Sequence, residues 1–209
     1  MTVPSPVPSP VPSPVAAAGH TARVPLTHRR TPYVRVLEAY CRRRYGAVLE
    51  PALVALHNRR VLRTVLRTES GVARWNTLDP TVKALASMAS AATIGCGWCL
   101  DFGYWESRHQ DVPAAKLDAV PRWRDVVGVH SDLERAAMEY AEAMTATPPT
   151  VDDALVVRLR TWLSDAQLVE LTGIVAQENF RSRVNTAMGL TGQGFKDSCD
   201  LGGRARSDG

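Results

Sequence analysis

The chain has 209 residues, 45% of them hydrophobic, which suits one globular domain with a real core and room for tails. It has no unbroken apolar run of about eighteen residues and no basic, then apolar, signal-like start, so the expectation is a cytoplasmic protein with no membrane partner and reduced thiols. The net charge of +4 is uneven: residues 1–80 hold twelve Arg, no Lys and four acids. No aromatic interleaving or nucleic-acid motif accompanies that excess. The arginines are expected on solvated helix faces or against acids of a second subunit, and nucleic acid is not an expected partner.

Residues 3–14 read VPSPVPSPVPSP, and alternating proline favours an extended polyproline chain over helix or sheet. Residues 1–24 are expected to be a disordered tail, 25–196 a folded domain and 197–209 a flexible end. After the tail nearly everything reads as helix. TPYVRVLEAYCRRRY opens with Thr31-Pro32, a cap and first helical residue. EPALVALHNRRVLRTVL continues with apolar residues on one face. LDPTVKALASMASAATIG starts at Asp79-Pro80, and its Val82, Leu85, Ala86, Ala89 and Ala92-Thr93 form a narrow, small-residue face for close packing. Ser131 with Glu134, and Ser164 with Gln167, are capping boxes, with VDDALVVRLRTWL between them. No strand alternation is evident, so the class is all-α.

The cysteines are Cys41, Cys96, Cys99 and Cys199, and only Cys96-Gly-Trp-Cys99 makes a CxxC. A structural zinc wants four closed ligands, and none of the five histidines forms an HxxxH pair, so no metal is expected. Gly95 breaks the preceding helix, and CGWCLDFGYWE can start another. The first turn of a helix has unpaired N–H groups and the positive end of the dipole, which together stabilise a thiolate. At i and i+3 the two cysteines share a face and can close a small disulfide, so reversible oxidation is the natural use. Two buried cysteines acting as small apolar residues are the alternative. Cys199 can exchange with the pair or be an inert tail thiol, and Cys41 is either packed or exposed. No Gly-rich dinucleotide loop occurs, so no cofactor beyond the redox disulfide is expected.

The stretches HNRRVLRTVL, WNTLDPTVKALASMASAATIGCGWCLDFGYW, SDLERAAMEYAEAM and AQLVELTGIVAQENFRSRVNTAMGL, nearly all of residues 50–196, resemble the carboxymuconolactone decarboxylase superfamily. More narrowly they are similar to its AhpD-like, CxxC-containing branch. The resemblance implies an all-α, homo-oligomeric helical bundle. It also implies a peroxidase or disulfide reductase acting on a hydroperoxide or disulfide, with electrons from a lipoylated or thioredoxin-like partner. In the catalytic roles it implies, Cys99 attacks and Cys96 resolves. Bottom-up physics alone does not choose, because Cys96 lies nearer the helix terminus. Relatives without the cysteines decarboxylate a lactone, and that non-redox reaction and a non-enzymatic redox sensor are the alternatives.

The chain departs from the family relay at two positions, which would hold a glutamate and a histidine and here are Ala84 and Gly103. Nearby substitutes for proton handling are Asp101, Glu106 and His109. Asp101, at i+2 from Cys99, should point away; Glu106 lies two turns along the same face. Lys83 could stabilise a thiolate. Gly103 is expected to leave an open space above Cys99. Trp98, Phe102, Tyr104 and Trp105 crowd the pair, and Trp98, Gly103, Tyr104, Asn179 and Arg183 are candidate pocket residues. In ENFRSRVN, Glu178, Arg181 and Asn185 share one polar face and Asn179 and Arg183 another; structural salt bridging is the expected role, and lining a site or crossing a subunit interface the alternative.

Overall fold

In the computed structural model, residues 22–199 are described, and the VPSP repeat and residues 200–209 fall outside them. The elements are α1 (Pro32–Tyr45), α2 (Glu50–Leu56), α3 (Arg59–Val72), α4 (Pro80–Ile94), α5 (Gly97–Arg108), α6 (Ala114–Ala119), a 3-10 turn (Val120–Arg122), α7 (Asp132–Thr145), α8 (Asp153–Leu159) and α9 (Asp165–Ala187). Residues 195–199 add a last helical turn, and no strand occurs among the described residues.

Local chemistry sets most of these boundaries. Thr31 Oγ1 accepts the Val34 N–H at 3.3 Å to start α1, and Asp79 Oδ1 accepts those of Thr81 and Val82 to start α4. Both capping boxes form, at Ser131/Glu134 and Ser164/Gln167. The apolar stretch from Glu50 onward is two helices and not one. His57-Asn58 breaks it, because the Asn58 side chain accepts from the Arg60 and Val61 N–H groups and so caps a new helix.

Helix α4 is the centre of the bundle and packs against α5, α7 and α9. Its buried residues are Val82, Leu85, Ala86, Met88, Ala89, Ser90 and Ala91. The expected narrow face is therefore too narrow and ends too late: Thr93 is exposed, while Met88, Ser90 and Ala91 are enclosed by helices on other sides. Small side chains let α7 come close, through Ala136, Ala137 and Ala141.

Helices α1 to α3 form their own small core of Val34, Leu37, Cys41, Leu56 and Leu62. Cys41 is packed, and burial pushes its thiol pKa up. All twelve N-terminal arginines are exposed, as solvated helix faces require. The tail boundary expected at residue 24 falls inside the packed structure: Ala22 packs on the core and the Arg23 N–H donates to Met188 O at 2.9 Å.

Ala137→Leu would force a larger side chain between α7 and its neighbours. It should cost about 1 to 3 kcal/mol, read as a lower urea midpoint at unchanged slope.

Candidate active site

The site begins at the break between α4 and α5. Gly95 ends α4 at φ 79°, a left-handed conformation that glycine adopts without a Cβ penalty. The chain turns there, and Cys96 becomes the N-cap of α5, its sulfur accepting the Cys99 N–H at 3.2 Å. Cys96 thus holds the place of a capping Ser or Asp. Cys99 sits one turn in, and Asn185 Nδ2 of α9 donates to its sulfur at 3.3 Å.

The two thiols are opposed electrically. Cys96 is lowered to about 7: the Cys99 thiol donates to it, and the Cys99 N–H and the Ser182 hydroxyl add to this against burial. Cys99 is pushed up, held as a thiol by its hydrogen bond to Cys96, by burial and by the negative charge of Glu178. The helix start contributes to the lowering of Cys96 through the Cys99 N–H, after the larger effect of the Cys99 thiol itself.

Helix α9 supplies the surroundings from one face. Glu178 is 6% exposed, and its negative charge disfavours both thiolates. It accepts from Ser182 Oγ at 2.7 Å and pairs with Arg181 at 3.4 Å. Arg181 also pairs with Glu69 of α3, which accepts from Gln177 Nε2 at 2.8 Å. Glu106 of α5 faces the same guanidinium. Burial raises both Glu106 and Glu178, with Arg181 acting against it. The carboxylates hold Arg181 well above its ordinary value despite its burial. The α9 polar face thus makes the salt bridges expected of it, and through Asn185 it also lines the thiol site, the alternative the stripe allowed.

The other expected residues divide sharply. Trp98 packs in the thiol cluster with Ala91, Cys96, Cys99 and Leu190, and its Nε1 donates to Gln193 Oε1 at 2.7 Å. Phe102 and Trp105 stack with each other and against Tyr45 of α1. Glu106 joins the Arg181 cluster, one step removed from the sulfur atoms. Asp101 is no proton relay: its carboxylate accepts the N–H groups of Gln193, Phe195 and Lys196 at 2.6, 3.1 and 2.8 Å, tying the C-terminal segment to α5. His109 is exposed and bonds to Trp105 O.

Gly103 leaves no open space, because a Cβ there would lie 3.7 Å from Met88 Cγ, ordinary contact. Tyr104 is buried in the main core with Lys196 over its ring. Asn179 spends its amide on Ser90, Thr145 and the Val175 carbonyl, and Arg183 on Thr145 O, so neither is brought to the thiols. Lys83 pairs with Glu170 and Trp75 O instead of a thiolate. Cys199 is half-buried and packs on the main core. A surface cavity of about 600 Å³ between Trp123, Arg135, Glu139, Arg158 and Trp162 shares no residue with the thiol cluster.

Alkylation of Cys96 should rise with pH to a midpoint near 7. Glu178→Gln removes a negative charge that disfavours both thiolates, so the midpoint should move lower. Iodoacetamide rates against pH, read by mass spectrometry, check both.

The profile of the Carboxymuconolactone decarboxylase family matches residues 59–143. The protein YnjA of Escherichia coli (strain K12) is 41% identical over 118 residues, 56% of this chain. That match spans 64% of YnjA, less than two thirds of its length. Among solved structures, a peroxidase-related protein from Silicibacter sp. TM1040 superposes with a TM-score of 0.74 at 14% identity, over 88% of this chain and 98% of that one. A peroxidase-related protein from Ralstonia eutropha JMP134, described as an alkylhydroperoxidase AhpD core, gives 0.72 at 16% over 84% and 94%. The debrominase Bmp8 gives 0.69 at 18% over 80% and 89%. At these identities the likeness to the solved structures is one of fold. Residues 59–143 thus match the carboxymuconolactone decarboxylase family, and the chain has the all-helical fold of its AhpD-like neighbours.

Proposed function

We propose that the protein is a thiol-dependent peroxidase and disulfide reductase that cycles Cys96 and Cys99 between dithiol and disulfide. The observation that carries this reading is the Cys96–Cys99 pair at the start of α5, with Asn185 of α9 bonded to Cys99 and the buried Glu178 carboxylate one helical stretch away on the same face. Glu178 supplies, from α9, the proton handling that Ala84 and Gly103 do not. Peroxidase-related proteins with the same fold support the reaction class.

Cys99 is the attacking thiol, being 7% exposed against 1% for Cys96. Glu178, kept basic by its burial, takes the Cys99 proton. The sulfur attacks the terminal hydroperoxide oxygen and the O–O bond breaks. Cys99 becomes a sulfenic acid, and the alkoxide leaves with the Glu178 proton as an alcohol. Cys96, as its thiolate, then attacks the sulfenic sulfur. The S–O bond breaks, hydroxide is protonated to water, and the disulfide closes. An external dithiol, for which we propose a lipoylated or thioredoxin-like protein, restores the pair and is itself oxidised. Exposed Val169, Phe180 and Val184 on α9 offer apolar surface for a homo-oligomer.

Treatment with cumene hydroperoxide should join Cys96 to Cys99, seen by peptide mass spectrometry. Cys96→Ser keeps a capping oxygen and so the fold, and should stop at the Cys99 sulfenic acid. Glu178→Gln should slow disulfide formation by about a hundredfold or more even though it favours the thiolates. An unchanged rate would remove Glu178 from the reaction. Cysteine variants that stay fully active on a lactone would point to decarboxylation instead. The debrominase Bmp8 is known with 2,3,4-tribromopyrrole bound to a cysteine-to-alanine variant, so a brominated pyrrole belongs in the same assay as a rival electrophile.

A further inference from the structure

We propose that residues 22–30 are a clasped strap that seals the thiol pair and must release for the sulfur atoms to meet a substrate. The inference rests on the reading that Cys96 and Cys99 are the reacting centre. At 1% and 7% exposure, neither sulfur is open to a hydroperoxide or to a partner's dithiol in this conformation.

Ala22 packs on the thiol cluster beside Leu49, from the turn before α2, and Val54 of α2, with Leu100, Phe102 and Met188 packed on it from α5 and the end of α9. Arg23 anchors the strap on the C-terminal end of α9, just beyond Asn185. Its N–H donates to Met188 O at 2.9 Å and its Nη1 to Ala187 O at 2.7 Å. These are carbonyls that a helix end leaves without intrahelical partners.

The second anchor is reciprocal. His28 of the strap bonds through Nε2 to Leu53 O of α2 at 2.8 Å, while His57, just after α2, bonds through Nε2 to Pro25 O of the strap at 2.7 Å. The two rings lie 4.5 Å apart. Each histidine thus reaches across to the other's segment, a clasp made of two hydrogen bonds and one ring contact. Between its anchors the strap has no helix of its own. A segment held at a few points opens locally at a fraction of the cost of global unfolding.

Such a cover serves the chemistry. A sulfenic acid left open to a second hydroperoxide is driven on to the irreversible sulfinic acid. A strap that recloses after the first attack leaves Cys96 as the nearest reactant.

The test uses the full chain with His28→Ala/His57→Ala and, separately, Arg23→Ala. N-ethylmaleimide labelling of the peptide that carries both cysteines is followed with time, with Cys41 as the internal control, since it is buried in the α1–α3 core and not under the strap. Loss of two neutral hydrogen bonds should speed labelling of the pair by about tenfold and leave Cys41 unchanged. The double variant should also accumulate more Cys99 sulfinic acid in excess cumene hydroperoxide. Arg23→Ala keeps the backbone bond and should give a smaller rise, which keeps the proposal testable if the double variant does not fold. Labelling equal to that of the unaltered chain, or Cys41 rising in step with the pair, overturns the strap. Faster labelling with no disulfide on peroxide treatment would leave the strap standing and refute the peroxidase reading. Disulfide formation with labelling unchanged would do the reverse.

Discussion

The hydrogen bond from the Cys99 N–H to the Cys96 sulfur is the contact on which the site depends. It opens α5, because an N-cap acceptor is what a helix start needs, and it fixes where the chain turns after Gly95. The same bond helps draw negative charge onto Cys96. Structure and reactivity therefore share one atom. A disulfide between the two, as the proposed cycle requires, would withdraw that charge from the helix terminus, so the first turn of α5 would sense the state of the pair.

Behind the thiols, one guanidinium faces three carboxyl groups from three helices: Glu69 on α3, Glu106 on α5 and Glu178 on α9. One buried positive charge cannot neutralise three negative ones, and burial pushes Glu106 and Glu178 toward their protonated forms. The cluster is a poor source of stability. It is a good proton reservoir, with one member beside the thiols and another, Glu69, about one-third exposed to solvent. Its cost is met elsewhere, by the close packing of α4 among α5, α7 and α9.

How far the sequence could be read follows from how local each feature is. The caps at Thr31, Asp79, Ser131 and Ser164 were legible because donor and acceptor lie within three residues of each other. Asn58 carries the same kind of signal, but it lies inside a run whose apolar spacing continues on both sides of it. The role of Cys96 at a helix start could be read from Gly95 and the spacing. What failed depended on partners far along the chain. Gly103 looks open until Met88 is placed against it, and Asp101 looks available until Gln193, Phe195 and Lys196 claim both its oxygens. Glu178 was visible only as part of a polar stripe, since nothing within α9 says that this stripe meets the CxxC turn.

Gln193 gives the site a direction in time. Its one side chain accepts from Trp98 Nε1 and from the Glu50 N–H, and donates to Val48 O. Two segments that leave the ribosome at different moments, residues 48–50 and α5, are held together by a residue made after both. A chain made from its N-terminus can build α1 through α7 before Gln193 exists. Until residues 193–196 are made, the Trp98 Nε1–H lacks its acceptor and Asp101 lacks the backbone it holds. The surroundings of Cys96 and Cys99 are therefore completed after the thiols themselves, by segments far along the chain.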